Sequence, residues 1–583
     1  MEKARSPLQS DFRAAISAEA AVSLPRPKPS ERLASLTRAH DCVRDCALIA
    51  VVTILSMVTY IAGLGFYSDD WMILGDMVPR ADTSVLGLLW ARAGTFEVMR
   101  PFEAAFYAIL YPIVHLRPLP YHLLNGFVLV AVGVLTYLTL RELTGNRLLS
   151  IAVALIYILM PNYSTTRFWF DVLEVNASVA FCLFSLYAGL RATRVRPSHP
   201  YAWLSGSLIA AVASALWYEL AMPVLLLIPL FAWLRTTIRD GATFRIRRPT
   251  VVQLVLTVLN TSTLVALALF KVTHTPRAVL PGDYLHYLIS LAVNTLRMNY
   301  GWYGVAVPRV LWTIAHNYFS IENLLVALAV GVLAAVYLYK VSAASSWISR
   351  PLAGGALVGG VLVFMLGYAI FLTNHNVGFS PTGANNRTAM VAALGVAASL
   401  VGLFAGLSSV LRSHRYRRLV FSLLVAMYAA SGSLIVSTIA SFWVAAAREQ
   451  TTILAAIQTR FPVLSPNTSL LVSGACPYIG PGMVSDSPTN LSGALRVLYR
   501  DASLRGSVVT PGFQVDDEAI FVVVYGREYR FPLGSVIAYN PTTGETLRIE
   551  SRTAAEKYLQ ATQAASRNSC PVAGPEGYGV HIF

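Results

Sequence analysis

Apolar residues run through this chain in long blocks, separated by short polar punctuation. The blocks fall at 46–66, 119–140, 148–161, 172–190, 202–216, 219–234, 250–270, 321–340, 352–372, 388–411 and 418–440. Each is continuous rather than one-faced, the pattern of helices surrounded by apolar matter on all sides. Several are shorter than the ~20 residues of a straight crossing, and aromatics such as Trp169, Phe170, Trp217 and Tyr218 pad their ends. The pattern predicts eleven membrane-spanning helices. Two further stretches, 101–116 and 283–305, are apolar but interrupted, and read as surface-lying or re-entrant segments. Beyond Trp443 the pattern changes. An amphipathic helix is expected over 444–461. Alternating strands such as Ala519–Tyr525, Glu528–Phe531 and Val536–Tyr539, with a helix near Thr553–Ala564, then mark a small α+β domain over 462–583.

Composition sharpens this picture. The chain has 583 residues, 55% hydrophobic and 13% charged, against about 25% charged in soluble domains. The net charge of +15 is unevenly placed. Five short loops (141–147, 191–200, 235–249, 340–350 and 412–418) hold sixteen Lys/Arg in fifty residues, against Glu142 and Asp240. By the positive-inside rule these loops face the cytoplasm, so the charge is topological and nucleic-acid binding is excluded. Eleven spans then place residues 1–45, polar and expected to be a disordered tail, inside, and 462–583 outside. The chain is expected to be a multi-pass protein of the cytoplasmic membrane. Outside the cell Cys476 and Cys570 are the natural disulfide pair.

The polar residues of the opposite loops form one set at one membrane face. They include Asp69, Asp70, Arg100, Arg167, Asp171, Glu174, Glu219, Lys271, Arg297, His375 and Arg387. A charge costs several kcal/mol in hydrocarbon, so acids and bases gathered at helix exits belong to the interfacial layer, where a lipid phosphate sits. Span interiors are almost uncharged. That favours chemistry at an interface over the alternative, a transporter or flippase for a glycolipid or other amphiphile.

Phe66-Tyr67-Ser68-Asp69-Asp70 follows the first apolar block, then Arg100-Pro101, then Tyr121-His122-Leu123-Leu124-Asn125 opening a span. Arg141–Gly145, Met160-Pro161, Arg167 with Asp171, and Tyr218–Pro223 follow. The order of these short motifs resembles the GT-C superfamily of integral membrane glycosyltransferases, especially its bacterial and protein-O-mannosyltransferase-like branches. The resemblance covers 46–234, reaches 250–440 only in outline, and does not extend to 462–583. It implies inverting transfer of a sugar from a polyprenyl-phosphate donor to a glycan, lipid or protein acceptor. Asp69 then matches the catalytic acid, Asp70 its neighbour, and Glu219 an acid usually preceded by Lys, where Tyr218 stands here. Arg100, Arg167, Lys271, Arg297 and Arg387 become candidates for holding the donor phosphate. Asp171, Glu174 and His375 are candidates for the acceptor side. A divalent cation (Mg or Mn) at Asp69/Asp70 is compatible with the reading but not required.

Overall fold

The computed structural model describes residues 29–77, 84–92, 100–194, 198–240, 250–274, 282–373, 378–524 and 526–569. The chain divides into two compact units between Leu48 and Ile49. Helix α1 (Pro29–Leu55) crosses that division. After Leu55 the first apolar block loosens into turns and a 3-10 turn at Ile61–Gly63, so it does not continue as one helix to Phe66. Then come α2 (Asp69–Met77), α3 (Pro101–Val114), α4 (Pro118–Thr144), α5 (Arg147–Leu159), α6 (Leu173–Ala192) and α7 (Pro200–Trp217). The next are α8 (Leu227–Asp240), α9 (Val251–His274), α10 (Tyr284–Leu296), α11 (Ile321–Ala344), α12 (Arg350–Tyr368), α13 (Met390–Ser408) and α14 (His414–Arg460).

Among the described residues, eight helical segments are long and apolar enough to cross a membrane. The protein is an integral, multi-pass membrane protein, although the count of eleven is not reproduced. Helix α5 shows why. Its thirteen residues rise only about 20 Å, short of the ~30 Å hydrocarbon layer. All of its residues from Leu148 to Leu159 are buried, so its ends are satisfied by protein rather than lipid. Gly145, at φ 70°, terminates α4, and the Asn146 side chain accepts the Leu149 N–H at 2.9 Å to start α5. The block at 219–234 is broken likewise, into a 3-10 turn at Glu219–Ala221, a short helix at Met222–Leu225 and then α8. Helices α12 and α13 pack backbone to backbone: a Cβ on Gly360 would lie 2.5 Å from the Gly395 carbonyl oxygen.

Helix α14 runs unbroken for 47 residues, about 70 Å, from the membrane into the C-terminal region. There β1 (Ser469–Val472) is followed by a small antiparallel pair, β2 (Tyr478–Ile479) and β3 (Gly482–Met483). Strand β1 lies between β4 (Arg505–Val508) and β8 (Val536–Tyr539), parallel to both, while β9 (Thr546–Ile549) adds an antiparallel edge. Helix α15 (Pro488–Tyr499) crosses over between β1 and β4. A meander of β5 (Gln514–Val515), β6 (Ala519–Val524) and β7 (Arg527–Pro532) closes a core of Leu471, Phe513, Ile520, Phe531 and Ile549. A last helix, α16 (Arg552–Ser569), follows, its residues Ala555 and Leu559 joining that core.

The C-terminal region is seated directly on α2. A Cβ on Gly75 would lie 2.4 Å from the Gly493 Cα, and one on Gly493 would lie 2.1 Å from the Trp71 carbonyl oxygen. Only glycines allow this approach. Trp71 Nε1 donates to Gln450 Oε1 at 2.9 Å, and Arg496 pairs with Asp76 at 3.0 Å. The helix that opens with the two aspartates is therefore fixed from both sides.

Candidate active site

Two adjacent carboxylates open α2, yet their surroundings are opposite. Asp70 is fully buried and saturated with donors. Its Oδ2 accepts the Tyr67 N–H at 2.9 Å, its Oδ1 accepts the Asp171 N–H at 2.8 Å, and the Tyr107 hydroxyl lies 3.3 Å from Oδ1. The same hydroxyl lies 3.3 Å from Asp171 Oδ1. Asp70 thus ties the first loop to the loop before α6. Asp69 is half-buried, and among the described residues its carboxylate has no hydrogen-bond partner. Ser68 precedes it at φ 43°, a conformation that costs a non-glycine residue about 1–3 kcal/mol and persists only where surroundings enforce it. Here the Ser68 hydroxyl donates to Asp486 Oδ2 at 3.1 Å.

Burial pushes the Asp69 carboxyl up to about 7, with Asp171 and Asp486 adding repulsion that Arg387 and Arg100 only partly offset. Burial also raises Asp171 to about 7, with Glu103 adding to it and Arg387 and Arg100 opposing. Asp70 is likewise raised, by burial and then by Asp171, against the hydrogen bonds it accepts. Three acids crowded this way cannot all ionise at neutral pH, so protons leave them as a coupled set.

Beside this set lies a neutralised one. Arg100, at the start of α3, reaches Glu174 and Glu219 at 2.9 Å each, and Lys271 reaches Glu219 at 3.0 Å. The Arg100 guanidinium also stacks on Tyr218, 4.1 Å from the ring centroid. Tyr218 replaces the expected Lys of that turn, and the cations arrive from elsewhere in the chain. Burial tends to raise the Glu219 carboxyl, but Arg100 and Lys271 outweigh it and hold it down at about 2.

Arg387 stands apart. Its guanidinium lies over the Trp169 ring at 4.9 Å, and among the described residues it makes no ion pair. Its neighbour Asn386 fixes it in place. The Asn386 side chain accepts the Thr165 N–H at 3.1 Å and donates to the carbonyls of Pro161 and Pro381. The Trp169 indole N–H is buried without a partner.

The remaining candidates separate from the site. Arg167 is buried, with one long bond of 3.4 Å to Ser56 Oγ, and among the described residues makes no ion pair with Asp171. Arg297 is exposed, over the Trp302 ring at 5.4 Å. His375 and Cys570 lie outside the described residues, while Cys476 is disulfide-bonded. Among the described residues no group of three acidic, His or Cys side chains is arranged to hold a metal, and both oxygens of Asp70 already accept N–H donors. Asp486 and Tyr107 were not foreseen. Asp486 reaches the site from a loop 416 residues after Asp70, and no local pattern marks either residue.

No family model matches the chain, and no curated protein matches it. Among solved structures, ArnT from Cupriavidus metallidurans bound to undecaprenyl phosphate aligns over 79% of this chain and 89% of its own, at 13% identity and a TM-score of 0.33. The Archaeoglobus fulgidus oligosaccharyltransferase, tethered to an acceptor peptide, aligns over 78% of this chain and 63% of its own, at 13% identity and a TM-score of 0.39. The likeness is one of outline.

Proposed function

We propose that the protein is a membrane glycosyltransferase in which Asp69 is the general base and the donor is a polyprenyl-phosphate-linked sugar. One observation carries this reading. A carboxylate without a hydrogen bond and with a raised proton affinity shares a membrane face with a guanidinium that has no ion pair, while Asp70 beside it is saturated with donors and Glu219 is held in ion pairs.

In a single displacement an acceptor hydroxyl oxygen forms a bond to the anomeric carbon as the bond to the phosphate oxygen breaks. The hydroxyl proton passes to Asp69, and the electron pair leaves with the phosphate. An ordinary Asp is a weak base, and proton transfer is most effective when the pKa lies near the working pH. Burial, with added repulsion from Asp171 and Asp486, brings Asp69 there. The departing phosphate gains negative charge, which Arg387 can stabilise without protonating it. With both glutamates ionised, the Arg100–Glu174–Glu219–Lys271 chain carries no net charge. In this reading it fixes the turn at 218–221 rather than gripping an anion. Undecaprenyl phosphate, bound by ArnT, is a suitable donor lipid to test first.

The test is sugar transfer from a panel of radiolabelled polyprenyl-phosphate sugars in isolated membranes, wild type against Asp69→Asn. Donor-dependent product from the wild type, absent from a variant that retains its donor, supports the assignment. Equal turnover by both proteins overturns Asp69 as base. No turnover by the wild type with any donor overturns the donor class.

A further inference from the structure

The chain turns at Ser68, and the residues on either side of the turn are anchored to different parts of the molecule. Before it, the Tyr67 hydroxyl donates to the Trp443 carbonyl of α14 at 2.8 Å, and the two rings pack edge to face. After it, the Trp71 carbonyl lies against Gly493 of α15, and the Trp71 indole N–H donates to Gln450 Oε1. Between these anchors Ser68 holds a φ of 43°, in the left-handed region that a side chain disfavours. A serine entering a helix ordinarily turns its hydroxyl back to accept an N–H of the first turn. Ser68 instead directs its hydroxyl outward, to Asp486 Oδ2 at 3.1 Å, and among the described residues that hydroxyl bonds no N–H of α2.

Asp486 is itself held in place. Its loop leaves the β2–β3 pair, where a Cβ on Gly482 would lie 2.5 Å from the Phe442 carbonyl oxygen of α14. The Val484 and Ser485 N–H groups both donate to the Pro477 carbonyl, at 2.9 and 3.0 Å. Gln450 Nε2 donates to the Val484 carbonyl at 2.9 Å. Gln450 therefore bonds α2, through Trp71, and also the loop that carries Asp486. The Ser68–Asp486 bond is a second tie between the same two segments.

We infer that Asp486 is a positioning residue: its hydrogen bond to Ser68 holds the left-handed turn that sets the direction of the Asp69 carboxylate. The inference rests on Asp69 as the base. Asp69 is the first residue of α2 and follows Ser68 directly. Were Ser68 to relax to negative φ, either α2 would turn about its own axis or Tyr67 would leave Trp443. Both movements displace Asp69. A loop of the C-terminal region, remote in sequence, thereby governs the aim of the first acid of the chain's opening helix pair.

The test uses the full chain in detergent, assayed for transfer and, separately, by hydrogen exchange of the peptide spanning 66–77, which needs no substrate. Alanine and glycine at 68 both lack the hydroxyl, but only glycine takes a positive φ unaided. Ser68→Ala should lose about 10- to 100-fold in kcat, the scale expected for a base displaced by ~1 Å, at an unchanged donor KM. Ser68→Gly should recover most of that loss, the reverse of the usual ranking of these residues beside a helix. Asp486→Ala should lose as much as Ser68→Ala, and the double variant no more than either alone. Asp486→Asn keeps an acceptor oxygen and should keep the rate. Exchange should rise in Ser68→Ala and Asp486→Ala and stay at the wild-type level in Asp486→Asn. Equal rates for Ser68→Ala and Ser68→Gly, or additive losses in the double variant, would overturn the inference. Unchanged exchange in Ser68→Ala would overturn it whatever the turnover. Wild-type turnover by Asp69→Asn would instead remove the base, and the exchange data would still judge the turn. Should Ser68→Ala fail to fold, Asp486→Ala against Asp486→Asn decides the matter.

Discussion

Two groups of carboxylates occupy the same face of this protein and are handled in opposite ways. Glu174 and Glu219 meet Arg100 and Lys271 at about 3 Å, and Glu219 is held at about 2. Asp69, Asp70 and Asp171 receive no ion pair among the described residues. They are held by backbone N–H groups and a tyrosine, or by nothing, and burial with mutual repulsion carries Asp69 and Asp171 to about 7. The first arrangement makes a permanent strut. The second keeps a proton exchangeable near neutrality. All five are carboxylates; what separates the groups is the placement of cations.

The sharpest way to break this contrast is to neutralise one acid of each kind. Asp69→Asn should lose transfer by about 100- to 10,000-fold with the fold intact, whereas Glu219→Gln should leave the acid limb of the pH–rate profile where it is. Comparable rate losses with comparable losses in Tm would make both structural. Next in size is Arg387→Ala. Removing a charge-assisted contact of about 1.5–3 kcal/mol should lower kcat/KM for the donor by roughly 10- to 150-fold, with part of the loss in kcat because the contact strengthens as the phosphate departs, as steady-state kinetics at varied donor would reveal.

Asp70→Ala should act on stability instead. It leaves the Tyr67 and Asp171 N–H groups without an acceptor, at about 1–3 kcal/mol per orphaned group, so thermal unfolding should fall before turnover per folded molecule does.

The smallest effects are in pH. A carboxyl raised by folding contributes stability at pH below its unfolded value of about 4 and loses it as pH rises through about 7. Asp69→Asn should therefore be more stable than wild type at pH 8, and the two should converge near pH 4 in thermal melts. Activity runs the other way, appearing as pH rises through the same range. Asp486→Asn removes one repulsion while Asp171, Arg387, Arg100 and Tyr529 still face the site. It should move the acid limb downward by a fraction of a unit.

Some of this was legible in the sequence. Continuous apolar blocks marked the helices because lipid demands them, and the acidic pair stood out because charge cannot follow a helix into hydrocarbon. Assigning roles within the pair was beyond the sequence. Asp69 and Asp70 differ through the Tyr67 N–H and through the Asp171 N–H and Tyr107 hydroxyl, the last two supplied by chain 37 to 101 residues away. Position in a polar loop marks Arg167 as a site cation, but it is buried within a four-residue helix at 165–168 and bonds Ser56 instead. Helix α14 carried no break at 444 because Trp443 and Ala446 continue one buried face. A polarity change in sequence therefore looked like a boundary.

That unbroken helix has a mechanical consequence. It is a rigid shaft whose upper end carries Gln450, and beyond it Asp486 and Gly493, to the start of α2. One residue inserted near 445 would rotate everything above by about 100° and lift it about 1.5 Å. The notch between Gly75 and Gly493, with under 3 Å of clearance for a single added carbon, could not follow. Phase along the shaft is therefore what keeps the lid of the acidic site in register. Length could change only by whole turns, and even then at the cost of height.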